Sequence, residues 1–132
     1  RCMEQAIASS GLAPGDVQYI NAHATSTPAG DPVEVAALRS VFGSALDSIP
    51  VSATKSMTGH QLGAAGVIEA ILSLRAMETS MLPPTINLED VDPVCDLDHV
   101  AGEARPAAAR VCLSNSFGFG GTNASLLLGL PD

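Results

Sequence analysis

Val17-Gln18-Tyr19-Ile20-Asn21-Ala22, then His23-Ala24-Thr25-Ser26-Thr27-Pro28-Ala29-Gly30, then Asp31-Pro32-Val33-Glu34, is the stretch that decides the fold class. The first six residues are rich in β-formers and read as a buried strand. The last four are a helix start, with Asp at the N-cap, Pro at the first helical position and Glu three residues after the cap. Val33, Ala37, Leu38, Val41 and Phe42 then mark one apolar face, and Gly43 ends the helix. A strand passing through a short polar loop into a helix is the unit of an α/β layer fold. His23 falls in that loop, where the binding residues of such folds gather.

Working outward, Cys2 to Ser10 reads as the end of a helix stopped at Gly11, with Leu12 to Asp16 as the turn. Ile49-Pro50-Val51-Ser52-Ala53 is a short strand. A capping-box pattern, Thr58-Gly59-His60-Gln61, predicts a helix from Thr58 to about Thr79. Its Gly63-Ala64-Ala65-Gly66 segment is small, and an interior Gly costs roughly 1 kcal/mol against Ala, so close packing is expected there. Pro83-Pro84 and the acidic stretch Glu89 to Asp98 form an irregular connection. Arg110 to Ser114 and Asn123 to Leu128 read as two strands joined by a glycine-rich run. With no internal repeat and no composition break, residues 1–132 form one domain.

Composition narrows the function. A net charge of −8 with six Lys and Arg residues excludes a nucleic-acid partner, because phosphate binding requires clustered cations. Hydrophobic content of 46% is globular, and the absence of Trp predicts a core of Ala, Val, Leu and Ile. The longest apolar stretch, Leu62 to Leu74, is interrupted by Glu69 and is too short to cross a bilayer. The first residues read as the middle of something, not as a targeting segment. Cysteines at 2, 95 and 112 are odd in number and form no CxxC pair, which suits thiols in a reducing cytosolic setting.

His23 and His60 both lie among Ala, Gly and Thr, which leaves room beside each imidazole. With Lys55 and the run Asn115-Ser116-Phe117-Gly118-Phe119-Gly120-Gly121-Thr122-Asn123, they are the parts of a site that stabilises an oxyanion. His60, two residues past the Thr58 cap, is expected to stay neutral at the positive end of its helix. Glu69 has helical neighbours Ala65, Gly66, Leu72 and Ser73, so its carboxylate faces packed protein and needs a base or a cation. Glu34 reads locally as a capping residue. The SxxK match at Ser52 to Lys55 lacks companion motifs, the glycine run lacks GK[ST], and the acidic stretch lacks an EF-hand's central Gly. No cysteine or serine sits in a nucleophile setting, so the chain carries half of an active site.

Three motifs, Asn21 to Asp31, Thr54 to His60 and Asn115 to Asn123, together resemble the carboxy-terminal half of a β-ketoacyl-[acyl-carrier-protein] synthase of the elongating, type II subclass. Pro83 to Leu88 and Cys95-Asp96-Leu97-Asp98 resemble connecting segments of that family. The resemblance implies a thiolase-like layered fold and a decarboxylating Claisen condensation, in which an acyl group waits on a cysteine. By motif, His23 and His60 would promote decarboxylation, and Lys55, paired with Glu34, would balance the charge. Thr25 and Thr27 would bind the pantetheine arm. Phe119 would gate the acyl pocket and lend its backbone N–H to an oxyanion hole. Asn21, Glu69, Ser114 and Asn123 match positions of a structural monovalent cation.

The resemblance requires no other cofactor, since phosphopantetheine arrives on the carrier protein. It implies an acyltransferase of fatty acid biosynthesis, cytoplasmic or in an equivalent organelle compartment. Its partners would be acyl carrier protein, the amino-terminal half and a second subunit in a homodimer, with no membrane. The family's nucleophilic cysteine belongs to the amino-terminal half, so this chain alone is expected to be inactive. Two other readings stay open: a polyketide ketosynthase, and a non-catalytic chain-length-factor-like partner subunit, against which intact His23, Lys55 and His60 argue.

Overall fold

A computed structural model describes residues 1–131. Helix α1 (Cys2–Ser10) ends where Gly11 adopts φ 76°, and the chain turns into strand β1 (Tyr19–Asn21). Helix α2 (Gly30–Phe42) is followed by strand β2 (Val51–Ser52), a single-turn helix α3 (Lys55–Thr58) and the long helix α4 (Ala65–Thr79). Strands β3 (Met81–Leu82) and β4 (Arg105–Pro106) pair antiparallel as a small second sheet. Strands β5 (Val111–Phe117) and β6 (Asn123–Gly129) close the chain as a hairpin.

The main sheet has the order β2-β1-β5-β6. β1 runs parallel to both β2 and β5, and β6 is antiparallel to β5. Alternation along the strands divides the core into two layers. Ile20, Ala22 and Leu113 face Met3 and Ile7 of α1 and Leu38 and Phe42 of α2. Tyr19 and Cys112 face the other way, onto Ala76 and Met77 of α4 with Leu82 and Val100. The sheet is therefore covered by helices on both faces, as a parallel sheet requires. Methionine, Tyr19 and Phe42 fill core positions that composition alone gave to Ala, Val, Leu and Ile.

Two expected helix starts differ. Asp31 does not cap α2. The N-cap position is Ala29, which makes no side-chain cap bond, and the capping oxygen comes from Thr27, whose Oγ1 accepts from the Gly30 N–H at 3.0 Å. A Cβ on Gly30 would meet that same oxygen at 2.5 Å, so the cap leaves no room for a side chain there. The helix expected from Thr58 begins instead at Ala65. Gly59 (φ 71°) and Leu62 (φ 51°) take left-handed conformations, and a right-handed helix cannot run through them. His60 therefore lies in a connecting segment. Close packing at the small stretch is present: a Cβ on Gly66 would sit 3.1 Å from Ser116 Oγ of β5. The outward side of this region leaves Leu62, Val67 and Ile71 exposed.

Candidate functional site

His23 follows β1 directly. Its backbone N–H donates to Glu34 Oε1 at 2.9 Å, and the Ala24 N–H donates to Oε2 at 2.8 Å. The same Oε1 accepts from Asn115 Nδ2 at 3.1 Å. Glu34 is thus no capping residue of its own helix, because its carboxylate reaches across to hold the His23 loop. Burial pushes the Glu34 carboxyl up, and the donors at Ala24, His23 and Asn115 oppose that rise. Ala24 (φ 29°) and Ser26 (φ 59°) are held in left-handed backbone by this clamp and the Thr27 cap.

The His23 and His60 rings meet edge to face, centroids 5.6 Å apart at 87°. His23 also packs on Phe117, ring centroids 5.8 Å apart. Burial, then the charge of Lys55, then His60, push His23 down from 6.5 to about 4, so it is neutral near pH 7. The exposed His60 takes its tautomer from its own turn. Its Nδ1 accepts from the Leu62 N–H at 3.2 Å, which leaves the proton on Nε2. A local backbone donor, not a helix end, sets this ring.

Lys55, the single lysine of the sequence, is 7% exposed and donates to Glu69 Oε1; Glu69 is 1% exposed. This corrects the expected pairing of Lys55 with Glu34. Glu34 is served by three N–H donors, whereas Glu69 projects from α4 to meet the lysine. Burial raises the Glu69 carboxyl, and the Lys55 hydrogen bond and charge oppose that rise. Asn21, fully buried on β1, ties the pair to the sheet: its Oδ1 accepts from Thr54 Oγ1 at 3.0 Å, and its Nδ2 lies 3.4 Å from Ser73 Oγ.

Of the other expected residues, Ser114 stands beside Asn21 in the β1–β5 register, whereas Asn123 pairs with Phe117, three residues further along. Asn21 is therefore beside Ser114, its Nδ2 lies 3.5 Å from the Glu69 C=O, and Asn123 is set apart. Thr25 is half-buried, and Thr27 is exposed with its hydroxyl engaged in the α2 cap. Phe119 is 105% exposed, its ring in solvent at the tip of the β5–β6 hairpin, where Gly120 and Gly121 turn at φ 73° and 80°. The aromatic ring that touches His23 is Phe117, which the sequence reading missed. Strand parity was the available signal: Phe117 alternates with Leu113 and Asn115 on the α1–α2 side of β5.

A cavity of about 360 Å³ lies between α2 and the 85–99 segment, walled by Val35, Leu38, Val51 and Leu97. It touches the Glu34 clamp, but His23, His60 and Lys55 do not line it. Among the described residues no cluster of three or more His, Cys, Asp or Glu side chains could hold a metal ion. No helix is long and apolar enough to cross a membrane.

Residues 1–89 match the family model described as β-ketoacyl synthase, C-terminal domain. The chain is 53% identical over 127 residues to a 3-oxoacyl-[acyl-carrier-protein] synthase 2 of Coxiella burnetii, covering 96% of this chain and 31% of that protein. A β-ketoacyl synthase of Burkholderia phymatum superposes with TM-score 0.92 at 40% identity, over 98% of this chain and 31% of its own. The ketosynthase complex AntDE:AntF, with its type II polyketide acyl-carrier protein, superposes with TM-score 0.97 at 35% identity, over 100% of this chain and 32% of its own. The chain thus spans about a third of the length of the proteins it matches. Its layered sheet is that of the thiolase-like ketosynthases, and the chain belongs to the β-ketoacyl synthase family, as its C-terminal domain.

Proposed function

We propose that this chain is the carboxy-terminal part, residues 1–132, of a 3-oxoacyl-[acyl-carrier-protein] synthase. That enzyme would join an acyl thioester to malonyl-carrier protein by decarboxylative Claisen condensation. The observation that carries the reading is the edge-to-face contact of His23 and His60 beside the buried Lys55–Glu69 pair. The bond from the malonyl α-carbon to its carboxylate breaks and CO2 leaves. The electron pair passes to the thioester oxygen, toward which the two imidazoles present N–H donors in place before the charge forms. Donors fixed in this way supply roughly 3–4 kcal/mol each. The enolate carbon then attacks the acyl thioester on a cysteine in the rest of the protein, and that thiolate leaves.

Identity of about half with a synthase of this name supports the fatty-acid reading. The AntDE:AntF superposition keeps the polyketide ketosynthase as the second reading. The partners we propose are acyl carrier protein, with Thr25 and Thr27 along the pantetheine arm, the remainder of the synthase and a second subunit. The exposed Leu62, Val67 and Ile71 are suited to contact with that remainder. Phe119 keeps its proposed gate role, for which its exposed ring requires the rest of the protein as its pocket wall. A structural monovalent cation is part of the proposal. Glu69 Oε2, buried with no hydrogen-bond partner among the described residues, would hold it beside Asn21 and Ser114. The compartment we propose is the cytoplasm.

The test is release of CO2 from malonyl-carrier protein by the full-length protein and by its His23→Ala variant. Loss in the variant supports the synthase, and unchanged release would point to a non-catalytic partner. Comparing fatty-acid and polyketide carrier proteins as substrates separates the two catalytic readings.

A further inference from the structure

Asn115 is fully buried on β5, and every part of its amide is engaged. Nδ2 donates to Glu34 Oε1 at 3.1 Å and lies 3.5 Å from Met3 Sδ; Oδ1 accepts from Ser125 Oγ at 2.8 Å. Ser125 stands directly opposite Asn115 in the β5–β6 ladder. A carboxylate offers only acceptors, so it needs the NH2 end of this amide. Glu34 thus fixes which end faces it, and the Ser125 hydroxyl, donating to the C=O end, anchors the amide to β6. Glu34 in turn holds the His23 and Ala24 N–H groups. A continuous chain of hydrogen bonds therefore runs from β6 through β5 and α2 to the loop that carries the imidazole.

We propose that Asn115, anchored by Ser125, is a positioning residue for His23 that acts through the Glu34 carboxylate. The proposal rests on the reading of His23 as a decarboxylation residue. Without the Ser125 donor the buried Asn115 C=O loses its partner, the amide is no longer anchored to β6, and the clamp on the His23 loop loosens. Displacement of a catalytic group by about 1 Å costs up to roughly a hundredfold in rate. The loss should fall on the step that uses His23 and spare the transfer of the acyl group to the cysteine elsewhere in the protein.

The experiment uses the full-length synthase and reads two half-reactions: CO2 release from malonyl-carrier protein, and acylation of the cysteine followed by protein mass. Ser125→Ala is expected to lower kcat for CO2 release about tenfold, with KM within about twofold and acylation unchanged. Ser125→Thr, which keeps the hydroxyl, is expected to restore it. Asn115→Asp sets two carboxylates in buried contact and is the harsher change, so Ser125→Ala carries the test. Wild-type CO2 release in both Ser125→Ala and Asn115→Asp, or a parallel fall in acylation, would overturn the proposal. His23→Ala is the control. If it abolishes CO2 release while the other variants stay at wild type, the positioning role alone fails. If it leaves CO2 release intact, the reading of His23 fails as well.

Discussion

Lys55 and Glu69 form a buried ion pair from two different helices, next to an imidazole that the lysine's charge helps to keep unprotonated. Because both members are out of water, each is the other's main compensation. Lys55→Met should therefore destabilise the full-length protein by about 3–5 kcal/mol, the cost of stranding a buried charge. Lys55→Met combined with Glu69→Leu should recover much of that loss. Denaturant midpoints of the three proteins check it, and a double variant no more stable than Lys55→Met would sink the account.

His23 has a signature in acid. Its folded value lies near 4 against an ordinary 6.5, so between those pH values the unfolded chain binds a proton that the folded one does not. This contribution to stability is complete above about 6.5 and lost as pH falls toward about 4. Replacing His23 with Gln, which does not titrate, should flatten that part of the profile. Thermal midpoints measured at pH 7, 5.5 and 4.5 should show the wild type falling faster than the variant, and parallel curves would contradict the shift.

The two phenylalanines near the glycine run should behave oppositely. Phe119→Ala removes a ring that lies wholly in solvent, so the stability of the isolated chain should change by no more than about 0.5 kcal/mol. Phe117→Ala removes the ring packed on His23 and should cost about 1–3 kcal/mol. Equal costs in a urea titration would mean that the hairpin tip is packed differently.

Gly30→Ala should be poorly tolerated although Ala favours helix, because the new Cβ would lie 2.5 Å from the capping Thr27 Oγ1. We expect a loss of about 1–3 kcal/mol, typical of overpacking. Pairing it with Thr27→Ala, which clears the space, should make the two changes less than additive, as a double-mutant cycle will show.

What the sequence disclosed, and what it hid, follows from the range of the interactions. The helix stops at Gly11 and Gly43, the buried β1 and the hairpin at 111–129 were legible because each depends on adjacent residues. Two small-residue motifs marked His23 and His60, and the fold brings their rings within 5.6 Å. Glu34 was misread because Asp-Pro-Val-Glu satisfies a local capping pattern, while its actual donors lie 10, 11 and 81 residues away. The Lys55–Glu69 pairing was hidden by a reversal of the chain that propensity does not mark, since Leu62 is an ordinary helix former held at positive φ.

That reversal has a geometric consequence. Fourteen residues separate Lys55 from Glu69, and a straight helix would set them roughly 21 Å apart along its axis. The left-handed steps at Gly59 and Leu62 fold this distance away, so a contact across two helices depends on the contour length of the short link between them. Adding or removing one residue within 59–64 would part the charges without changing either one. The site's electrostatics are in this sense a property of chain length as much as of side-chain identity.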